Sequence, residues 1–100
     1  MALILGKMIL NFRDKETEPL FRRERVKKIP PAVRRAGLRK VLLLDAAESL
    51  DDLRVPPGNR LERLRGDRDG QYSIRVNDQW RVCFLWEDGN ARDVEITDYH

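Results

Sequence analysis

Between Tyr72 and Ile96 apolar residues recur at every second position, and turn residues break the pattern twice. Tyr72, Ile74 and Val76 alternate with Ser73 and Arg75, and Trp80, Val82, Phe84 and Trp86 alternate with Arg81, Cys83 and Leu85. Val94 and Ile96 resume the alternation and lead into Asp98. Successive side chains of an extended chain leave on opposite sides, so a run of this kind lays one face on a core. Asn77-Asp78 and Asp88-Gly89-Asn90 suit tight hairpin turns. The sequence therefore predicts an antiparallel meander. Parity puts Trp80, Val82, Phe84 and Trp86 on the covered face and Arg75 and Arg81 on the other. The second face carries few large apolar side chains, which predicts a sheet covered on one side and open on the other. Both tryptophans read as core rather than as platforms for stacked bases.

Upstream the period changes. Residues 8–12 read as a short apolar strand. Thr17 suits the cap of a helix running to about Arg25, with Pro19 tolerated in its first turn and Leu20 and Phe21 as anchors. Pro30-Pro31 stops that helix and starts a second over about residues 31–47. Its apolar stripe is Val33, Gly37, Val41 and Leu44, widened by Leu38 and Leu42. Arg34, Arg35, Arg39 and Lys40 fall largely outside the stripe. That basic face is either solvated surface or a contact for RNA or an acidic partner. Leu50–Leu53 reads as a helical turn, residues 55–59 as a loop and residues 66–70 as a turn, with a short strand between Leu61 and Leu64. Helices precede strands, so the expected class is α+β, with two N-terminal helices packed on one face of a small, mainly antiparallel sheet.

A chain of 100 residues makes one domain, residues 1–100. A second methionine, Met8, leaves residues 1–7 open to two readings, native sequence or an upstream extension. The apolar opening is too short for a secretory signal, and no stretch is long enough to span a membrane. The single cysteine, Cys83, cannot form an intramolecular disulfide, which fits a reducing, cytoplasmic setting. One cysteine and one histidine cannot assemble a Cys/His metal cluster, so neither a metal nor a cofactor is expected. Phosphate-loop and dinucleotide fingerprints are absent, and neither Ser49 nor Ser73 sits in a nucleophile elbow.

Twenty basic residues face seventeen acidic ones, and arginine outnumbers lysine. Guanidinium groups bind phosphate bidentately and stack on bases, so this balance leans toward nucleic acid. Arg75 and Arg81 on the sheet, with Arg63, Arg65 and Arg68 on the neighbouring loop, would make a phosphate-neutralising surface. Glu62, Asp67 and Asp69 interleave with the loop arginines, and a locally neutral, solvated loop is the competing reading. The chain ends in Asp98-Tyr99-His100, and His100 is its only histidine. Chain ends are commonly frayed and idle. Held in place, however, an imidazole beside a carboxylate suits proton transfer. RNA brings its own nucleophile, the 2′-hydroxyl. A protein that orients it, moves two protons and stabilises charge on phosphorus can cleave it without a metal.

At these residues the sequence resembles a known family. The run from Arg60 to Phe84, with Leu64-Arg-Gly-Asp-Arg-Asp-Gly-Gln-Tyr-Ser-Ile74 and Asn77-Asp-Gln-Trp-Arg81, joins the terminal Asp98-Tyr99-His100 in resembling the HigB-type branch of the RelE toxin superfamily. These are also called plasmid-maintenance killer proteins. The resemblance spans about residues 8–100. It implies the toxin of a type II toxin–antitoxin system: a metal-independent, ribosome-dependent endoribonuclease that cuts mRNA in the A site. It also implies a cognate helix-turn-helix antitoxin whose complex with the toxin binds operator DNA. Carried over residue by residue, the active site would comprise Asp98, Tyr99 and His100, the strand arginine Arg81, and Arg65 before the glycine turn. Gln79 stands where a polar side chain can contact the message, and Arg63, Arg68 and Arg75 would bind RNA. Some relatives carry a histidine where this chain has Glu62. Either Glu62 takes over as general base for the 2′-hydroxyl or the position is dispensable. A non-catalytic binder that blocks ribosomes or RNA, neutralised by an antitoxin, is the alternative.

Overall fold

The computed structural model describes residues 9–13, 17–21 and 29–98. A four-stranded antiparallel sheet runs in chain order: β1 (Glu62–Arg63), β2 (Tyr72–Arg75), β3 (Trp80–Glu87) and β4 (Asn90–Asp98). The expected alternation is what holds it in register. Ile74 pairs with Val82 and Val82 with Ile96, so three β-branched side chains share one face. The two-residue turn Asp88-Gly89 has positive φ at both positions, 51° and 79°, which matches the twist of the strands it joins. The β2–β3 connection is longer than the tight turn expected at Asn77-Asp78. It runs from Val76 to Gln79, and the Asn77 side chain accepts the Gln79 and Trp80 backbone N–H groups.

One long helix, α2 (Pro31–Ala46), covers the sheet; the shorter α1 (Thr17–Phe21) precedes it. Pro31 opens α2, where a missing N–H costs nothing, and the Pro30 carbonyl accepts from Val33 and Arg34. The buried positions of α2 are Val33, Gly37, Val41 and Leu44, the stripe that helical spacing predicts. A β-carbon on Gly37 would come within 2.9 Å of Ile96 Cδ1, so the glycine lets α2 lie close on β4. The expectation of two N-terminal helices is corrected here to one. The described residues of α1 are Thr17–Phe21, and its expected run to about Arg25 lies outside them, so a longer first helix is not what holds this turn. Tertiary contacts hold α1 instead. Leu20 is buried, and the buried Thr17 hydroxyl accepts the Ile96 N–H at 2.9 Å.

Phe84, Val82, Ile74, Val41, Leu44 and Val94 form the centre of the core, all inaccessible to solvent. Phe84 stacks on Tyr72 and meets Trp86 edge-on. Both tryptophans are half-buried against this cluster, as their alternation predicts. The expected strand at residues 8–12 corresponds to an extended segment beside β4. Ile9 and Phe12 make parallel bridges to Ala91 and Val94, and the Leu10 and Arg13 N–H groups donate to the carbonyls of the same two residues. Among the described residues no helix is long and apolar enough to cross a membrane.

Candidate active site

The register places Arg75 directly opposite Arg81, so both leave on the sheet's second face, as parity predicts. Like charges directly opposite repel. The structure resolves this by turning the two guanidiniums apart. Arg75 pairs with Asp78 in the hairpin. Arg81 lies back along the sheet, donating from Nε to Ser73 Oγ at 2.7 Å and from Nη2 to the Arg60 carbonyl at 2.6 Å. Glu62 Oε1 stands 3.9 Å from Nη2. β1 brings it there, because Glu62 pairs with Ser73. Only 12% of the Arg81 side chain is exposed.

The second face is therefore not the open surface that alternation suggests. Ser73 and Cys83 are both fully buried there. Alternation says that this face is polar; it does not say that long polar side chains will lie flat across it. Arg81 does so, and so does Arg68, which reaches Glu95 at 3.1 Å and Gln71 at 3.0 Å. Their aliphatic stems exclude water while their heads are paired. The cost is seen at Cys83, whose thiol burial pushes above its ordinary pKa of 9.0; Arg68 opposes that most strongly. The fold thus favours the neutral thiol. The stability this contributes is fully present below about pH 9 and is lost as pH rises through the raised value. Denaturation followed from about pH 8 to about pH 11 should show a decline that Cys83→Ala lacks. Curves that decline in parallel would contradict it.

The remaining predicted residues separate into smaller groups. Arg63 and Arg65, with Leu64 and Asp69, line a cleft of about 330 Å³ beside β1. Neither arginine has a hydrogen-bond or ion-pair partner among the described residues. Gln79 donates to Asp98 Oδ2 at 2.8 Å, tying the β2–β3 hairpin to the end of β4. Asp98 pairs with Trp80 and Thr97 with Arg81, so Asp98 and Arg81 stand on adjacent strands but leave on opposite faces of the sheet. Tyr99 and His100 lie outside the described residues. Arg68 is occupied by Glu95 and Gln71. On α2, Arg34 serves the Ile29 carbonyl and Lys40 the Asn59 side chain, which leaves Arg35 and Arg39 as the exposed basic positions.

Sequence reasoning missed the support beneath Arg81. Asn59 reads as a loop residue, yet it is fully buried. Its amide donates to the carbonyls of Leu53 and Val55, and its oxygen accepts from Lys40 Nζ. It thereby fixes Arg60, whose left-handed backbone (φ 45°, ψ 58°) presents the carbonyl that Arg81 uses. Positive φ at a non-glycine residue is the kind of local signal that appears only in coordinates. Ser73 was weighed as a nucleophile and set aside; its hydroxyl instead serves Arg81.

The arrangement can present a fixed guanidinium, a nearby carboxylate and two further arginines, without partners among the described residues, to a polyanion. Comparison with known proteins identifies the family. Residues 10–100 match the family described as RelE-like toxin of type II toxin–antitoxin system HigB. The chain is 47% identical over 90 residues to Toxin HigB-1 of Vibrio cholerae serotype O1 (strain ATCC 39315 / El Tor Inaba N16961), covering 89% of this chain and 95% of that protein. It is 42% identical over 41 residues to Endoribonuclease HigB of Proteus vulgaris, 41% of this chain and 45% of that one. Among solved structures, the YoeB–YefM complex from Staphylococcus aureus contains a chain of similar fold, with a TM-score of 0.54 at 18% identity, covering 92% of this chain and 94% of that one. With a family match over nearly its whole length and a relative this similar, the chain belongs to the HigB family of RelE-like toxins of type II toxin–antitoxin systems.

Proposed function

We propose that this toxin is an endoribonuclease that cuts mRNA in the ribosomal A site, without a metal, and is neutralised by a cognate helix-turn-helix antitoxin. The observation that carries the reading is Arg81, a guanidinium held by two hydrogen bonds beside the Glu62 carboxylate. The endoribonuclease named in Proteus vulgaris supports it. In the reaction the 2′-oxygen attacks phosphorus, the bond to the 5′-oxygen breaks, and the products are a 2′,3′-cyclic phosphate and a 5′-hydroxyl. Glu62 takes the 2′-hydroxyl proton. Arg81 stabilises charge on the phosphoryl oxygens. His100 gives its proton to the leaving 5′-oxygen, with Asp98 favouring the protonated imidazole and Tyr99 completing the site. Arg65 and Arg63 receive neighbouring phosphates in the cleft, and Arg75 and Arg68 join them by exchanging Asp78 and Glu95 for phosphate. Gln79 holds Asp98 and faces the message. The toxin–antitoxin complex binds operator DNA through the antitoxin, and the toxin acts in the cytoplasm.

The test is to map RNA 5′ ends after adding toxin to translating and to ribosome-free mRNA. New ends bearing 5′-hydroxyls, rather than the 5′-phosphates that a metal-activated water would leave, should form on ribosomes alone. His100→Ala and Tyr99→Ala should each reduce them by about 10²-fold or more. Translation that stops without any new ends would replace this reading with a non-catalytic block of the ribosome.

A further inference from the structure

Arg81 has five N–H donors in a rigid fork. Two of its three nitrogens are committed, Nε to Ser73 and Nη2 to the Arg60 carbonyl. Nη1 hydrogen-bonds to none of the described residues. Among the described residues no buried side-chain nitrogen or oxygen lacks a partner, and 12% of the Arg81 side chain stays exposed. The guanidinium is therefore fixed through one edge, with a corner left for an incoming anion. Arginine is long and flexible, and an untethered side chain loses much rotamer freedom when it engages a ligand.

We infer that Ser73 is a positioning residue: its buried hydroxyl, with the Arg60 carbonyl, pre-sets the Arg81 guanidinium so that Nη1 meets a phosphoryl oxygen. This rests on the ribonuclease reading above and deepens it. Three observations make Ser73 more than a filler. It is fully buried on a face where water cannot replace its oxygen as the Nε acceptor. It pairs with Glu62 on one side and Cys83 on the other, which places it between the carboxylate and the strand that carries Arg81. Its small size leaves room for Arg81 to cross diagonally instead of facing Arg75. The Arg60 carbonyl completes the clamp, and Asn59 and Lys40 link that carbonyl back to α2. Nη1 offers donors only, so it takes an acceptor, and under the ribonuclease reading that acceptor is a phosphodiester oxygen.

Ser73→Ala removes the acceptor and little volume. Ser73→Cys replaces it with a weak one, and Ser73→Thr restores a hydroxyl. Each is compared with wild type for single-turnover cleavage of ribosome-bound mRNA, for KM, for melting temperature, and for the Arg81 Nε–H signal in a ¹H–¹⁵N spectrum. Wild type should show a shifted, slowly exchanging Nε–H. In the alanine and cysteine variants that signal should move toward its free position and exchange quickly. Their cleavage rate should fall between about 10-fold and about 10²-fold, with KM little changed. Threonine should recover both. An Nε–H signal and rate that Ser73→Ala and Ser73→Cys leave as in wild type overturn the inference. So does a rate loss matched by lost melting temperature that threonine does not repair. Wild-type toxin that makes no cuts would sink the ribonuclease reading instead, and the Nε–H signal still decides whether Ser73 holds Arg81.

Discussion

Arg81→Ala lowers mRNA cleavage by at least about 10²-fold, the effect expected when a preorganised donor to a developing oxyanion is removed. The loss falls on the cleavage step, because the other arginines, Arg63 and Arg65 in the cleft, remain to hold the message. Stability changes less. The bonds to Ser73 and to Arg60 are lost, each worth about 0.5–1.5 kcal/mol net, with more if the buried Ser73 oxygen stays dry. Arg81→Lys keeps the charge but cannot hold the Ser73 and Arg60 oxygens with one edge while offering a donor from the other. It should resemble alanine in rate more than wild type. Single-turnover cleavage on ribosomes, read beside a melting curve, separates the two losses. Arg81→Ala toxin that cuts at the wild-type rate would remove the guanidinium from the mechanism.

Phe84→Ala costs about 3–5 kcal/mol of folding stability, a large share of the roughly 5–15 kcal/mol that a domain possesses. Phe84 is inaccessible to solvent and lies between Tyr72 and Trp86, with ring centroids 6.2 Å and 6.4 Å away. It also sits where the β3–β4 register shifts, between Cys83 and Leu85. Neighbouring backbone at such a shift is already committed to the irregular pairing, so the cavity cannot readily collapse. Chemical denaturation gives the number directly. A cost under about 1.5 kcal/mol would mean that the core repacks around the hole. Toxicity should fall with it, through loss of folded protein, with single-turnover chemistry in the surviving folded fraction unchanged.

How much of this was legible beforehand depends on the length scale of each contact. The meander was, because a period of two in Tyr72–Trp86 is a local property that forces the same faces whatever surrounds it. The stripe of α2 was legible for the same reason. Parity also put Arg75 and Arg81 together. The closure of the second face was not legible. It depends on Arg68 reaching Glu95, 27 positions away, and on Arg81 bending toward Ser73 rather than out. Asn59 was hidden because its residue type signals a turn, and nothing nearby signals the lysine from α2 that buries it. Of α1, Thr17–Phe21 was legible, and its expected run to about Arg25 lies outside the described residues. Asp98 beside Gln79 was half-visible: both positions were singled out, and their bond to each other was not.

The segment at residues 9–13 borders β4, and contacts such as Asn11 with Asp93 join positions 82 residues apart. During synthesis the early half of such a pair leaves the ribosome long before the late half exists. The nascent polypeptide can wind α2 but cannot complete the sheet until β4 has been translated. Glu95, the partner of Arg68, arrives with β4 as well, so the second face closes only at that stage.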